Sequence, residues 1–167
     1  KSGIYQYYVE GEDERSLLNT LKLDLRCIES GKIDKFNVIQ SRFTTARMRT
    51  LKTGTTVVLV YDTDVEMNTK ILDENIAFLK RQEVICIPQV RNLEDELVRA
   101  CNIKNIVDLT KSLTKADYKR DLINCSNLSD RLKKCKFDIT KIWAEIPKNN
   151  FKKYGNDSEK IKIKSKK

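Results

Sequence analysis

A chain of 167 residues is long enough for one hydrophobic core, and its 33 Lys plus Arg against 24 Asp plus Glu leave a formal charge of +9, which favours polyanionic partners, chiefly nucleic acid. The absence of histidine excludes Ser-His-Asp and Cys-His nucleophile activation, H-E-x-x-H zinc sites and imidazole acid–base chemistry. Five scattered cysteines without a C-x-x-C pair predict reduced thiols and a cytoplasmic location, and no apolar run approaches membrane-spanning length.

In chain order, Ile4 to Val9 reads as a strand, turned by Glu10-Gly11 into a helix from about Glu12 to Ser30. Leu18, Leu21, Leu25 and Ile28 recur at three- and four-residue steps and form its inward stripe. Gly31 reads as a helix C-cap, and a short strand is expected from Phe36 to Ile39. Arg42, Arg47, Arg49 and Lys52 follow in a segment expected to be helical, with Ser41 near its N-cap. These four cations are placed either to touch phosphate or to form a solvated helix face.

Gly54 releases the chain into its most apolar stretch, Val57-Val58-Leu59-Val60, which runs straight into Tyr61-Asp62-Thr63-Asp64. A helix is expected from Glu66 to Arg81, then a strand, Val84 to Ile87, closed by Pro88. Continuous apolar runs between amphipathic helices indicate parallel strands covered on both faces. Residues 1–103 therefore read as an α/β core with a mainly parallel four-stranded sheet flanked by helices. Leu93 to Ala100 opens with acids and reads as a helix, and helical fragments over 106–113, 115–123 and 128–135 place a helical extension over 104–147. Ser126 or Ser129 is the expected cap of the last fragment, and Trp143 reads as packing. Residues 148–167 form a basic tail, with eight lysines against Asp157 and Glu159, expected to be a solubilising, partly disordered segment over 160–167.

The chemistry rests on four carboxylates. Asp62 and Asp64 lie two apart at a strand end, where an extended chain projects both to one side. Glu10 ends the other acidic strand, and Glu14 follows one helical turn later. In open α/β sheets, ligands bind at such C-terminal strand ends. Clustered carboxylates with no histidine or thiolate motif select Mg²⁺, Mn²⁺ or Ca²⁺ over zinc or copper, and two such ions about 4 Å apart clamp the oxygens of a phosphoryl displacement. The bland reading of Glu12-Asp13-Glu14 and of Glu94 and Glu96 is compensation of a helix dipole.

Val9-Glu10-Gly11 after a strand, then Glu14, then an apolar strand ending Asp62-x-Asp64, resembles the Toprim domain of topoisomerases, bacterial primases and OLD-family nucleases. Leu93-Glu94-Asp95-Glu96-Leu97 is similar to the acidic helix start of the OLD-type branch, and the resemblance spans roughly residues 4–101. It implies a Rossmann-like Toprim fold and a metal centre of Glu10, Asp62 and Asp64, with Glu14 and Glu94 as further ligands for Mg²⁺ or Mn²⁺, two ions in all. It implies hydrolysis of phosphodiester bonds in DNA or RNA, in phage defence or RNA processing, and a catalytic lysine from beyond the core. Lys148 and Lys152, with Lys153, are preferred for that role over Lys141. Nucleic-acid contacts are expected from Arg42, Arg47, Arg49, Lys52, Lys148, Lys152 and Lys153. The alternative is a non-catalytic Toprim-like binding or sensor subunit with a separate ATPase or other protein partner. Val65-Glu66-Met67 departs from the glycine that primases and topoisomerases place there. Glu66 also disfavours a haloacid-dehalogenase-type phosphatase, whose D-x-D-x-T motif needs threonine at that place.

Overall fold

A computed structural model describes residues 3–64 and 68–164. Strands β1 (Ile4–Val9), β2 (Gly31–Lys35), β3 (Thr55–Asp62) and β4 (Glu83–Gln89) form one sheet in the order β2-β1-β3-β4, with every pairing parallel. Helices α1 (Glu12–Leu23), α2 (Thr45–Met48), α3 (Lys70–Phe78), α4 (Leu93–Ala100), α5 (Val107–Thr110), α6 (Tyr118–Ile123) and α7 (Leu128–Lys134) flank it. The architecture is α/β and Rossmann-like. Among the described residues no helix is long and apolar enough to cross a membrane.

The unbroken apolar runs have a direct cause. Successive strand residues point to opposite faces, and both faces of this sheet are covered. Tyr7, Val9, Val58, Val60, Ile85 and Ile87 meet Leu17, Leu18 and Leu21 of α1 and the helices of the extension. On the other face Tyr8, Val57, Leu59, Tyr61 and Cys86 meet Val38, Phe43, Leu72, Leu79 and Phe151. A strand buried on both sides has no polar phase to display.

Several boundaries differ from the sequence expectation. Helix α1 stops at Leu23 rather than Ser30. Its expected continuation turns through Arg26 in the left-handed region (φ 51), so Leu25 and Ile28 reach the core along an irregular path. Gly31 is no helix cap. It begins β2, where a Cβ would lie 2.5 Å from the Tyr5 carbonyl oxygen, so glycine permits the close pairing of β2 on β1. The strand expected at Phe36–Ile39 is loop, because Gly31–Lys35 already fills the register beside Tyr5–Val9. Pro88 does not close β4 but sits inside it, opposite Tyr61. That is tolerable because β4 is an edge strand, where the missing N–H faces away from the ladder. The start of the helix expected from Glu66 lies outside the described residues, and α3 spans Lys70–Phe78.

The basic segment folds as a single turn, α2, capped by Thr44 rather than Ser41. It is held to the core by one buried side chain. Asn75 of α3 donates through Nδ2 to the carbonyls of Val38 (2.9 Å) and Ser41 (2.8 Å) and accepts from the Phe43 amide (2.8 Å). Replacing Asn75 by alanine removes the partner of three backbone groups, with the bonds to Val38 and Phe43 buried and that to Ser41 part-buried. At about 1 kcal/mol or more for each, Asn75→Ala is expected to cost roughly 3 kcal/mol in urea denaturation; a loss under 1 kcal/mol would show that the loop finds other partners.

The extension follows the expected order in shorter pieces: α5, then a 3-10 turn at Lys115–Asp117 leading into α6, then α7. Asn127, not Ser126 or Ser129, stands at the cap of α7. The basic tail is the larger departure. Residues 148–164 pack on the core: Phe151 and Ile161 are buried, and Lys162 is buried with its Nζ donating to the Ile142 carbonyl at 2.5 Å. Lys162 also forms an antiparallel bridge with Ile28, and the Asp157 amide donates to the outward carbonyl of Cys86 on edge strand β4 (3.1 Å). Expectations for Lys166 and Lys167 lie outside the described residues.

Candidate carboxylate site

Parallel topology brings the two acidic strand ends together. β1 and β3 are hydrogen-bonded neighbours with Val9 beside Val60, so Glu10 and Asp62 emerge side by side at the C-terminal edge. Glu14, in the first turn of α1, is 3% exposed and faces the same point. Asp64 lies beyond the end of β3, exposed in a bend, so the pair does not share one environment as an extended strand would give. Its charge nevertheless acts on both Glu10 and Asp62.

The turn that carries Asp62 and Asp64 is fixed from beneath. Thr63, 3% exposed, donates through Oγ1 to the Gln89 carbonyl (2.6 Å), and its amide donates to the Arg91 carbonyl (2.9 Å). Asn149 donates through Nδ2 to the Thr63 carbonyl (2.8 Å).

A side chain the sequence did not single out holds the carboxylates in place. Gln89, fully buried at the end of β4, donates through Nε2 to Asp62 Oδ1 (2.7 Å) and to Glu14 Oε2 (3.3 Å). Its own Oε1 accepts from the indole Nε1 of Trp143 at 3.1 Å. An indole nitrogen only donates, so Trp143 fixes which end of the amide faces the acids. Trp143 is thus more than packing. The Trp143 amide donates in turn to Glu96 Oε1 (2.9 Å), and Glu96 Oε2 accepts from the Val90 amide (2.8 Å) and lies 3.2 Å from Arg99 Nη2. Trp143→Phe leaves the Gln89 carbonyl oxygen buried without its donor, at a cost of about 1–2 kcal/mol. It is expected to slow any metal-dependent cleavage about tenfold while leaving far-ultraviolet circular dichroism unchanged; an unaltered rate would make the indole bond merely structural.

Burial sets the protonation of the site. It pushes Glu10 up to about 7, with the charge of Glu14 the next cause. Glu14 is pushed up to about 8, by burial and then by its hydrogen bond to Asp13. Asp62 is pushed up to about 8, by burial and then by the charge of Glu10. None of the main influences on these three groups is a lysine or arginine. Asp62 bonds Glu10, and Glu14 bonds Asp13, carboxyl to carboxyl. Such a bond needs a proton on one partner.

Gly11 is the hinge of this arrangement. A Cβ there would lie 2.8 Å from Asp13 Oδ1 and 3.1 Å from Glu14 Oε1, so any side chain would push into the acids.

The remaining expected residues are more dispersed. Glu94 is ion-paired with Lys115 (2.9 Å), yet it and Glu14, Asp13 and Asp62 all act on the buried Tyr118 hydroxyl. It therefore borders the cluster. Lys148 is exposed and adjoins Asn149, which ties it to the Asp62–Asp64 turn. Lys152 is exposed, and Lys153 pairs with Asp73 (3.0 Å) on the α3 side. Of the four cations expected either to touch phosphate or to form a solvated helix face, only Arg47 lies within α2. Arg42 pairs with Glu74 (2.6 Å), and Arg47 stacks on Phe36, 4.7 Å from the ring centre. Arg49 lines a cleft with Lys80 and Arg81, and Lys52 lines another beside Gly3 and Ile4.

Among the described residues no three Asp, Glu, Cys or His side chains stand grouped to hold an ion as they lie. The donor set is nonetheless all carboxylate oxygen, half-buried and without a cationic partner among its main influences, which suits a hard divalent ion. Comparison with protein-family models, curated proteins and solved structures returned no match.

Proposed function

We propose that this chain is a nuclease of Toprim type, nearest the OLD branch, hydrolysing phosphodiester bonds in DNA or RNA with Mg²⁺ or Mn²⁺. One observation carries the reading: Glu10, Glu14 and Asp62 meet at adjacent parallel strand ends, with no lysine or arginine among the main influences on them. Two bound divalent ions would supply positive charge there and polarise the scissile phosphate. In this reading Glu10, Asp62 and Asp64 are the central ligands, with Glu14 and Glu94 beside them. Gln89 orients Asp62 and Glu14 through its two Nε2 bonds. Lys148, held next to the Asp62–Asp64 turn by Asn149, offers positive charge to the phosphate oxygens as negative charge builds there.

A second reading, a non-catalytic nucleic-acid-binding subunit serving an ATPase or other protein partner, draws on the raised proton affinities of the carboxyls, which let protons neutralise the site without an ion. The two are separated by incubating the chain with single- and double-stranded DNA and RNA in Mg²⁺, Mn²⁺ or EDTA. Cleavage in a divalent metal that stops in EDTA is the expected result. Binding without cleavage in every metal would favour the subunit reading.

A further inference from the structure

We infer that a nucleic-acid strand enters the carboxylate site along the outer edge of β2, its phosphates held by Arg15, Lys32, Lys35 and Arg47. This rests on the nucleic-acid reading above and supplies the path it lacks. The four cations, with Asp34, Thr44, Ala46 and Thr50, line one open groove of about 640 Å³.

Its position is set by register. Lys35 pairs with Val9, the residue before Glu10, and Arg15 follows Glu14 directly in α1. One end of the groove therefore lies at the C-terminal edge of the sheet, the edge that carries the acids. The only acid in the lining, Asp34, is already engaged: its Oδ2 accepts from Gln6 Nε2 at 3.0 Å and lies 3.8 Å from Lys32 Nζ.

Arg47 is held ready by its neighbours. Its guanidinium lies over the rings of Phe36 (4.7 Å) and Tyr8 (5.9 Å), and Phe36 stacks on Phe43 with centres 4.7 Å apart. A planar cation fixed on an aromatic shelf loses little freedom when it meets a phosphate. Among the described residues no aromatic ring lines the groove itself, so it tracks the backbone and leaves base identity unread.

A second basic cleft, lined by Arg49, Lys80 and Arg81, lies at the wrong end of the sheet. Lys80 and Arg81 precede the start of β4 at Glu83, whereas Glu10 and Asp62 sit at the opposite, C-terminal ends of their strands.

The test is binding of a fluorescent 30-nucleotide strand in EDTA, so the result does not depend on whether any metal supports cleavage. Lys32→Glu/Lys35→Glu is expected to weaken binding at least tenfold and to flatten the log K against log salt slope by about 1.5. Lys80→Glu/Arg81→Glu makes the same change in net charge and is expected to weaken binding less than threefold. Lys32→Gln/Lys35→Gln should fall between the parent and the Glu pair, and thermal melts of all variants show whether each is folded. Equal losses in the two Glu pairs, or a larger loss at Lys80 and Arg81, would overturn the assignment. If the groove pair loses binding while no metal supports cleavage, the path stands and the nuclease reading falls.

Discussion

Asp62→Asn is expected to lower metal-dependent cleavage by roughly 10³-fold while raising the stability of the metal-free chain. The two effects have opposite signs because Asp62 serves the ion and burdens the fold. Asparagine keeps the size of the side chain and an oxygen that accepts from Gln89 Nε2, so the bond at 2.7 Å survives. What disappears is the charge that Asp62 turns toward Glu10, Glu14 and Asp64 once its proton is lost, so the gain in stability is read at pH 8 and above. A thermal melt in EDTA beside a cleavage assay in Mn²⁺ reads both. Cleavage that persists in the variant would remove Asp62 from the metal centre. A variant that loses stability as well as activity would make Asp62 a structural group.

The second large effect is on pH. The folded-state proton affinities of Glu10, Glu14 and Asp62 are raised to about 7, 8 and 8, above those of the same groups in the unfolded chain. The native state therefore binds more protons through this interval, and stability falls as pH rises. The contribution is fully present below about pH 4 and is lost as pH climbs through the folded values. The metal-free chain should thus melt several degrees lower at pH 8 than at pH 5.5, at about 2–4 °C per kcal/mol. A divalent ion competes with these protons, so Mg²⁺ or Mn²⁺ is expected to raise the melting temperature more at pH 8 than at pH 5.5. Melting that is independent of both pH and metal would argue against a shared carboxylate site.

The sequence carried the central strands clearly, because burial on both faces of β1, β3 and β4 leaves long apolar runs. It also carried the meeting of Glu10 and Asp62, since both follow such runs. β2 was hidden because only Ile33 of its five residues is buried, so the strand has no apolar run to read. Gln89 was hidden by Pro88: a proline read as the end of a strand cut off the residue that occupies the same strand-end position as Asp62. Trp143 gave no local signal either, since its role depends on contact with a residue far earlier in the chain. The dispersal of Arg42, Arg47, Arg49 and Lys52 followed from the length of α2, which composition does not set.

The bond between Trp143 and Gln89 changes what counts as the working unit. All the acids lie before residue 97, and an outline drawn from the sheet would end the catalytic module near residue 103. Yet the indole that aligns Gln89 and the amide of Asn149 that braces Thr63 both come from later residues. A fragment cut at 103 would retain each acid and lose the supports that aim them. Transplanting the sheet alone into another scaffold would transfer the ingredients of the centre without its alignment, and during synthesis that alignment waits until residue 149 has emerged.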